Sequence, residues 1–182
     1  SRPTPACNPS VIPVWEALEQ ALTNAKHPTP IVDIYHQLMA PPYGVKAGVV
    51  PILVVAALIL RSEDIALFEE GNYCPRITPE IIERLNVPYP DRFTVKAVPV
   101  GRGQRRLVVD GLAKALDVDV PRSRSARNPL LLAVTRTILE RMMILTPYAR
   151  QTRRISPEAL AIRGILSRAT DPDELIFISL PK

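Results

Sequence analysis

Ala47-Gly48-Val49-Val50-Pro51-Ile52-Leu53-Val54-Val55-Ala56-Ala57-Leu58-Ile59-Leu60 is a run of fourteen residues without one polar side-chain atom, closed by the charged residues Arg61, Glu63 and Asp64. As a helix it spans about 21 Å, against roughly 30 Å of hydrocarbon in a bilayer. It is too short for an ordinary membrane span, and no membrane partner is expected. A helix apolar on all faces should be buried on all faces. Residues 47–60 are therefore expected to form the central helix of a globular domain, with nearly every side chain covered.

The residues that follow read as a hairpin. Asp64-Ile65-Ala66-Leu67-Phe68-Glu69 is one strand, Tyr73-Cys74-Pro75-Arg76-Ile77 the other, with Gly71-Asn72 at the centre of the turn. Pro75 marks the second strand as an edge. A helix followed by a hairpin is the back half of a winged helix. Upstream, the apolar spacing predicts helices over 14–23, with Val14, Ala17, Leu18, Ala21 and Leu22 inward, and over 30–39, with Ile31, Ile34, Tyr35 and Leu38 inward. The buried helix is expected from about Lys46 to Arg61, tightened or kinked by Pro51. Downstream, a short helix at 79–85 and an alternating strand, Phe93-Thr94-Val95-Lys96-Ala97, complete this part. The strand is placed to join the hairpin.

Gly101-Arg102-Gly103 is a break. Beyond it, helices are expected over 104–116 (Val108, Val109, Leu112 and Leu116 inward, Asp110 paired with Lys114), 129–145, after Pro147, over 157–168 and from Pro172, with a polar loop at 119–127. The expected fold is mainly α with a small β-hairpin or sheet. Residues 1–100 form a winged-helix-like domain and residues 101–182 a helical, Arg-rich domain, or the two pack as one compact unit.

The chain holds 20 prolines, which resembles disorder until their positions are read. Seven follow a capping residue: Asn8-Pro9, Thr29-Pro30, Thr78-Pro79, Asn128-Pro129, Thr146-Pro147, Ser156-Pro157 and Asp171-Pro172. The side chain before each proline can accept a bond from an orphan N–H, and proline at the first helical position loses nothing. These pairs are read as helix starts.

Charge is divided unevenly. Residues 1–91 hold 6 basic and 10 acidic residues, net −4; residues 92–182 hold 17 and 8, net +9, and 14 of those 17 are Arg. Arg offers a planar fork that suits phosphates and carboxylates. The constellation that points to function is Arg150, Arg153, Arg154 and Arg163, with Arg136 and Arg141 upstream. Arg150 and Arg154, four apart, are expected on one side of a helix just before Ser156 starts the next. Arg102, Arg105 and Arg106 form a second, smaller cluster, and Arg122, Arg124 and Arg127 a third. The ordinary alternative is a solvated helical surface, or ion pairs with Glu140, Glu158, Asp171 or Glu174.

No catalytic constellation is read. Gly101-Arg102-Gly103 lacks the further glycine and the Lys-Ser/Thr of a phosphate loop, so no nucleotide cofactor is expected. Asp33 and His36 share a helix face but have no nucleophile or oxyanion site nominated beside them. Glu69-Glu70 reads as a charged hairpin tip rather than a metal site, and Met142-Met143 as core or interface filler. Cys7 and Cys74 stand far apart without His or Cys at metal spacing. No disulfide framework and no metal is expected, and a reducing, cytoplasmic setting is. No basic segment followed by an apolar run opens the chain, so a secretory leader is not read. A start at Ser1 and a stop at Leu180-Pro181-Lys182 read as a piece of a longer protein.

Two stretches carry a resemblance. One runs from Pro41-Pro42-Tyr43-Gly44-Val45-Lys46 through the apolar run to Ala66-Leu67-Phe68-Glu69-Glu70-Gly71. The other runs from Thr146-Pro147-Tyr148-Ala149-Arg150-Gln151-Thr152-Arg153-Arg154 through Ser156-Pro157-Glu158-Ala159-Leu160. Together they resemble the region downstream of the ATPase core in large bacterial P-loop proteins, some associated with phage defence. None of the nucleotide-binding residues of those proteins stands in this chain, so the resemblance implies no catalytic residue. It implies a non-catalytic accessory module of a larger cytoplasmic bacterial protein, an NTPase, mediating protein or nucleic-acid contact. Two alternatives stay open. One is a sequence-independent DNA- or RNA-binding domain acting through the Arg-rich half, and the other is a small enzyme of unrecognised type. A winged helix that reads the major groove shows polar residues there; an apolar third helix argues against that use.

Overall fold

The computed structural model describes residues 9–86, 89–98, 103–118 and 129–181. It divides into two compact units, Ser1–Pro99 and Val100–Lys182. Helices dominate both, and unit 1 also holds a four-stranded antiparallel sheet.

In unit 1, α1 (Val11–Asn24) is followed by the two-residue strand β1 (Thr29–Pro30), α2 (Ile31–Met39) and α3 (Val50–Leu60). Then come β2 (Ile65–Glu69), β3 (Asn72–Cys74), α4 (Pro79–Asn86), a 3-10 turn at Pro90–Arg92 and β4 (Phe93–Ala97). The strand order is β1-β4-β2-β3. Phe93–Ala97 does join the sheet, pairing with β2 (Leu67 opposite Val95) rather than extending the hairpin beyond β3. β3 lies at the edge, with Pro75 immediately after it.

The hairpin turn sits one residue earlier than expected. Glu69 pairs with Asn72, so Glu70-Gly71 form the loop, both at positive φ (51° and 81°). A two-residue loop with both central residues left-handed matches the twist of the strands it joins, and only Gly71 adopts that conformation without strain.

The core of unit 1 joins Leu18 and Leu22 of α1, Ile31 and Leu38 of α2, Val54 and Leu58 of α3 and Leu85 of α4 to Phe93 and Val95 of β4. Each of these is essentially inaccessible to water. At about 1.5–3 kcal/mol for each large apolar side chain covered, such a cluster is the main stabilising term. Two polar fasteners run through it. Tyr35 on α2 donates its hydroxyl to the Leu85 carbonyl of α4 at 3.0 Å. Burial pushes the Tyr35 phenol up to about 12. Arg61, at the end of α3, pairs with Glu19 of α1 at 3.0 Å and with Asp64, before β2, at 3.4 Å. Arg61 and Asp64 are both buried. The charged cluster that ends the apolar run thus also ties three elements together.

The expectation of an all-round buried α3 is corrected. Val50, Val54, Val55, Ala57 and Leu58 are buried, but Ile52 is 65 % exposed, Ile59 51 %, Leu60 44 % and Val49 43 %. At 100° per residue the exposed four lie within a stripe about 100° wide. Three neighbours, α1, α2 and α4, pack against the helix, and a helix cylinder packed from one side leaves the other open. The helix also begins at Val50, not near Lys46. Pro51 lies in its first turn, where the missing N–H costs no bond, so it starts the helix rather than kinking it.

Unit 2 comprises α5 (Gln104–Ala115), α6 (Pro129–Ile144), α7 (Pro147–Gln151), α8 (Pro157–Leu166) and α9 (Pro172–Glu174), the last continuing as a π-helical turn, Leu175–Ser179. α6 packs on α5, α8 and α9. It buries Leu131, Leu132, Val134 and Thr135, while α5 contributes Val109 and Ala113. The inward face of α5 is therefore narrower than expected, since Val108 is exposed. Asp110 takes Arg106 as its partner, at 3.7 Å, where Lys114 was expected. The expected loop at 119–127 lies outside the described residues.

Four of the seven proline-linked caps have their side-chain bond. Thr78 accepts from Ile81 N–H, Thr146 from Ala149, Ser156 from Ala159, and Asp171 from both Asp173 and Glu174. Asn8 and Asn128 lie outside the described residues. Thr29-Pro30 departs from the pattern: the pair forms β1, and Pro30 precedes α2 without a side-chain cap.

Candidate interaction surfaces

The six arginines singled out in the sequence divide into two groups by what their guanidinium groups do. Arg105 pairs with Asp173 at 3.1 Å and lies over the Phe177 ring at 4.2 Å, joining α5 to the C-terminal turn. Arg106 faces Asp110 one turn along α5. Arg163 on α8 donates to two backbone carbonyls, Ala149 at 3.2 Å and Thr152 at 2.7 Å. Those carbonyls belong to the end of α7, where helix geometry leaves C=O groups without partners. These three arginines are engaged inside unit 2.

Arg150, Arg153 and Arg154 are all exposed. None has an acidic partner among the described residues. The expectation that Arg150 and Arg154 share one helix face is corrected: α7 ends at Gln151, so Arg153 and Arg154 stand in the link to α8. Thr152 carries that link. Its N–H returns to the Tyr148 carbonyl, and its hydroxyl accepts from Arg154 N–H at 3.2 Å. Tyr148, 70 % exposed, stands on α7 beside them.

The second surface is the outward stripe of α3 in unit 1. It carries no donor, acceptor or charge from Val49 to Leu60, and in water it stays unsatisfied in the hydrophobic sense. Sequence reasoning missed it because periodicity cannot rank the faces of a helix that is apolar all round. Sequence reasoning also missed the role of Arg61, whose partner Glu19 is 42 residues away.

Other candidate chemistry resolves into structure. Asp33 and His36 are both exposed on α2, with no hydrogen bond between them. Glu69 is held by Arg84 of α4 through two bonds, 2.7 and 2.9 Å, and so staples α4 to the sheet. Burial, and then the Glu69 carboxylate, push the Cys74 thiol up, away from the thiolate form that reacts. A cleft of about 230 Å³ in unit 2 is lined by Arg168, Thr170, Asp171, Glu174 and Ser179. There the Asp171 carboxylate is occupied in capping α9, and Arg168 donates to the Gly164 carbonyl. Among the described residues no three His, Cys, Asp or Glu side chains group as metal ligands, and no helix is long and apolar enough to cross a membrane.

No protein-family model, curated protein sequence or solved structure matches the chain.

Proposed function

We propose that this chain is a non-catalytic accessory module of a larger protein, and that unit 1 is a winged-helix derivative used for contact with another polypeptide. The strand order supports the winged-helix reading. β1 stands between α1 and α2, and β1-β4-β2 is the order in which a winged helix sets its three strands. β3 and α4 are then an enlarged wing inserted between β2 and β4. In that reading α3 is the third helix, the one that DNA-binding winged helices lay in the major groove.

The observation that carries the function is the chemistry of that helix. Val49, Ile52, Ile59 and Leu60 face outward. A base edge or a phosphate would find no hydrogen-bond partner there, whereas an apolar side of another polypeptide would remove the stripe from water. The reading also agrees with the resemblance to segments downstream of an ATPase core, which implies a module without chemistry of its own. A photo-reactive residue at Ile52, in the protein expressed in its own cell, tests it. The expected result is cross-linking to one defined polypeptide segment, abolished by Ile59→Asp without loss of folding. Cross-links to nucleic acid, or none at all, would overturn it.

A further inference from the structure

The chain presents a second surface, in unit 2, that the α3 reading does not use. We propose that the α7–α8 corner, through Arg150, Arg153 and Arg154, binds the phosphate backbone of nucleic acid without reading sequence. Three observations carry this.

First, these are the arginines left over once the internal roles are assigned. Arg105 and Arg163 tie elements of unit 2 together and Arg106 pairs with Asp110 on its own helix, while Arg150, Arg153 and Arg154 are exposed and lack an acidic partner among the described residues. Residues 147–168 contain five arginines and one acid, Glu158. The Glu158 carboxylate is held below its ordinary range by its own backbone N–H and by Ser156 at the start of α8. It is engaged at that cap.

Second, the corner is built before any ligand arrives. Thr146 and Ser156 cap its two helices, Thr152 braces Arg154 N–H, and the Arg163 guanidinium clamps the Ala149 and Thr152 carbonyls. A braced backbone loses less conformational entropy on binding. Arg150 and Arg154 are four residues apart, at most about 14 Å of chain, or about four base-pair rises along a duplex axis.

Third, the chemistry fits a phosphodiester backbone with bases attached. Every basic residue of the segment is Arg, whose planar fork binds two phosphate oxygens at once. The exposed Tyr148 adds a face on which a base can stack. Phosphate contacts set affinity and carry no base information.

The test is fluorescence anisotropy of the full chain with mixed-sequence DNA and RNA oligonucleotides, single-stranded and duplex, across a salt series. About three phosphate contacts give a log–log salt slope of about −2 on single strands and about −3 on duplex DNA. Affinity should then fall about 20- to 40-fold between about 50 and 200 mM salt. R150A/R153A/R154A should abolish most of that slope and weaken binding equally on unrelated sequences, while R150K/R153K/R154K keeps it. The control K26A/K46A/K114A removes the same charge from exposed sites elsewhere and should leave the slope in place. Whichever of DNA and RNA binds more tightly identifies the source of the phosphates. Three results would overturn the proposal. One is equal loss in the Arg and Lys triple variants, which would show diffuse charge. Another is unchanged binding in the Arg variant with a lowered melting temperature. The third is binding to anionic phospholipid vesicles with none to either nucleic acid at low salt.

Discussion

Unit 1 pairs Arg61, Arg84 and Arg92 with carboxylates and turns an apolar stripe outward, whereas unit 2 leaves three arginines of one corner in water. Arg61 is clasped by Glu19 and Asp64, Arg84 by Glu69, and Arg92 by Glu70 and the Tyr89 ring. Arg150, Arg153 and Arg154 have no such partners among the described residues. The same residue type is a fastener at some positions, Arg163 of unit 2 among them, and a displayed group at others. Residue type therefore says little about role until partners are known. The same holds for the apolar residues of α3, of which Leu58 is core and Ile59, its neighbour, is surface.

That contrast can be broken at several points, in descending order of effect. Val54→Asp puts an unpaired charge at a fully buried position, and unit 1 should fail to fold, as far-ultraviolet circular dichroism would register. Arg61→Ala leaves the Glu19 and Asp64 carboxylates without their shared partner. It should lower stability by about 3–5 kcal/mol in urea titrations. A loss under about 1 kcal/mol would place Arg61 with the surface ion pairs instead.

Tyr35→Phe strands the Leu85 carbonyl and should cost about 1–3 kcal/mol. Its pH signature is separate. The folded phenol is pushed up to about 12 from 10.0, so the unfolded chain releases this proton first. Stability then falls as pH rises above about 10, up to about 12, and Tyr35→Phe should flatten that part of the alkaline profile. Smaller still, Ser156→Ala removes the α8 cap and should cost about 0.5–2 kcal/mol, visible as a lowered melting temperature.

Local chemistry was the legible part. Helix starts at Thr78, Thr146, Ser156 and Asp171 follow from a capping side chain next to proline, and they formed as expected. The hairpin was legible to within one residue, because Glu70 adopts the positive φ that Asn72 was expected to take. What could not be read depends on distant residues. Arg105 meets Asp173, 68 positions away, and no pattern within either helix announces it. The open side of α3 was hidden for the opposite reason: every face of the helix carries the same chemistry, so only its neighbours distinguish them. The division among the six candidate arginines likewise follows from tertiary partners, which Arg163 finds in the Ala149 and Thr152 carbonyls.

The one-sided burial of α3 underlies the proposed contact surface. Leu58 is 1 % exposed and Ile59 51 %, so thermal melts of Leu58→Asp and Ile59→Asp compare two adjacent positions of one helix, one covered and one open. Ile59→Asp should stay within about 0.5 kcal/mol of the parent chain, a shift of at most about 4 °C for a unit of this size. Leu58→Asp should show no cooperative melt of unit 1 at all. Equal loss of the folded state in both variants would contradict the open face, and with it the contact surface assigned to α3.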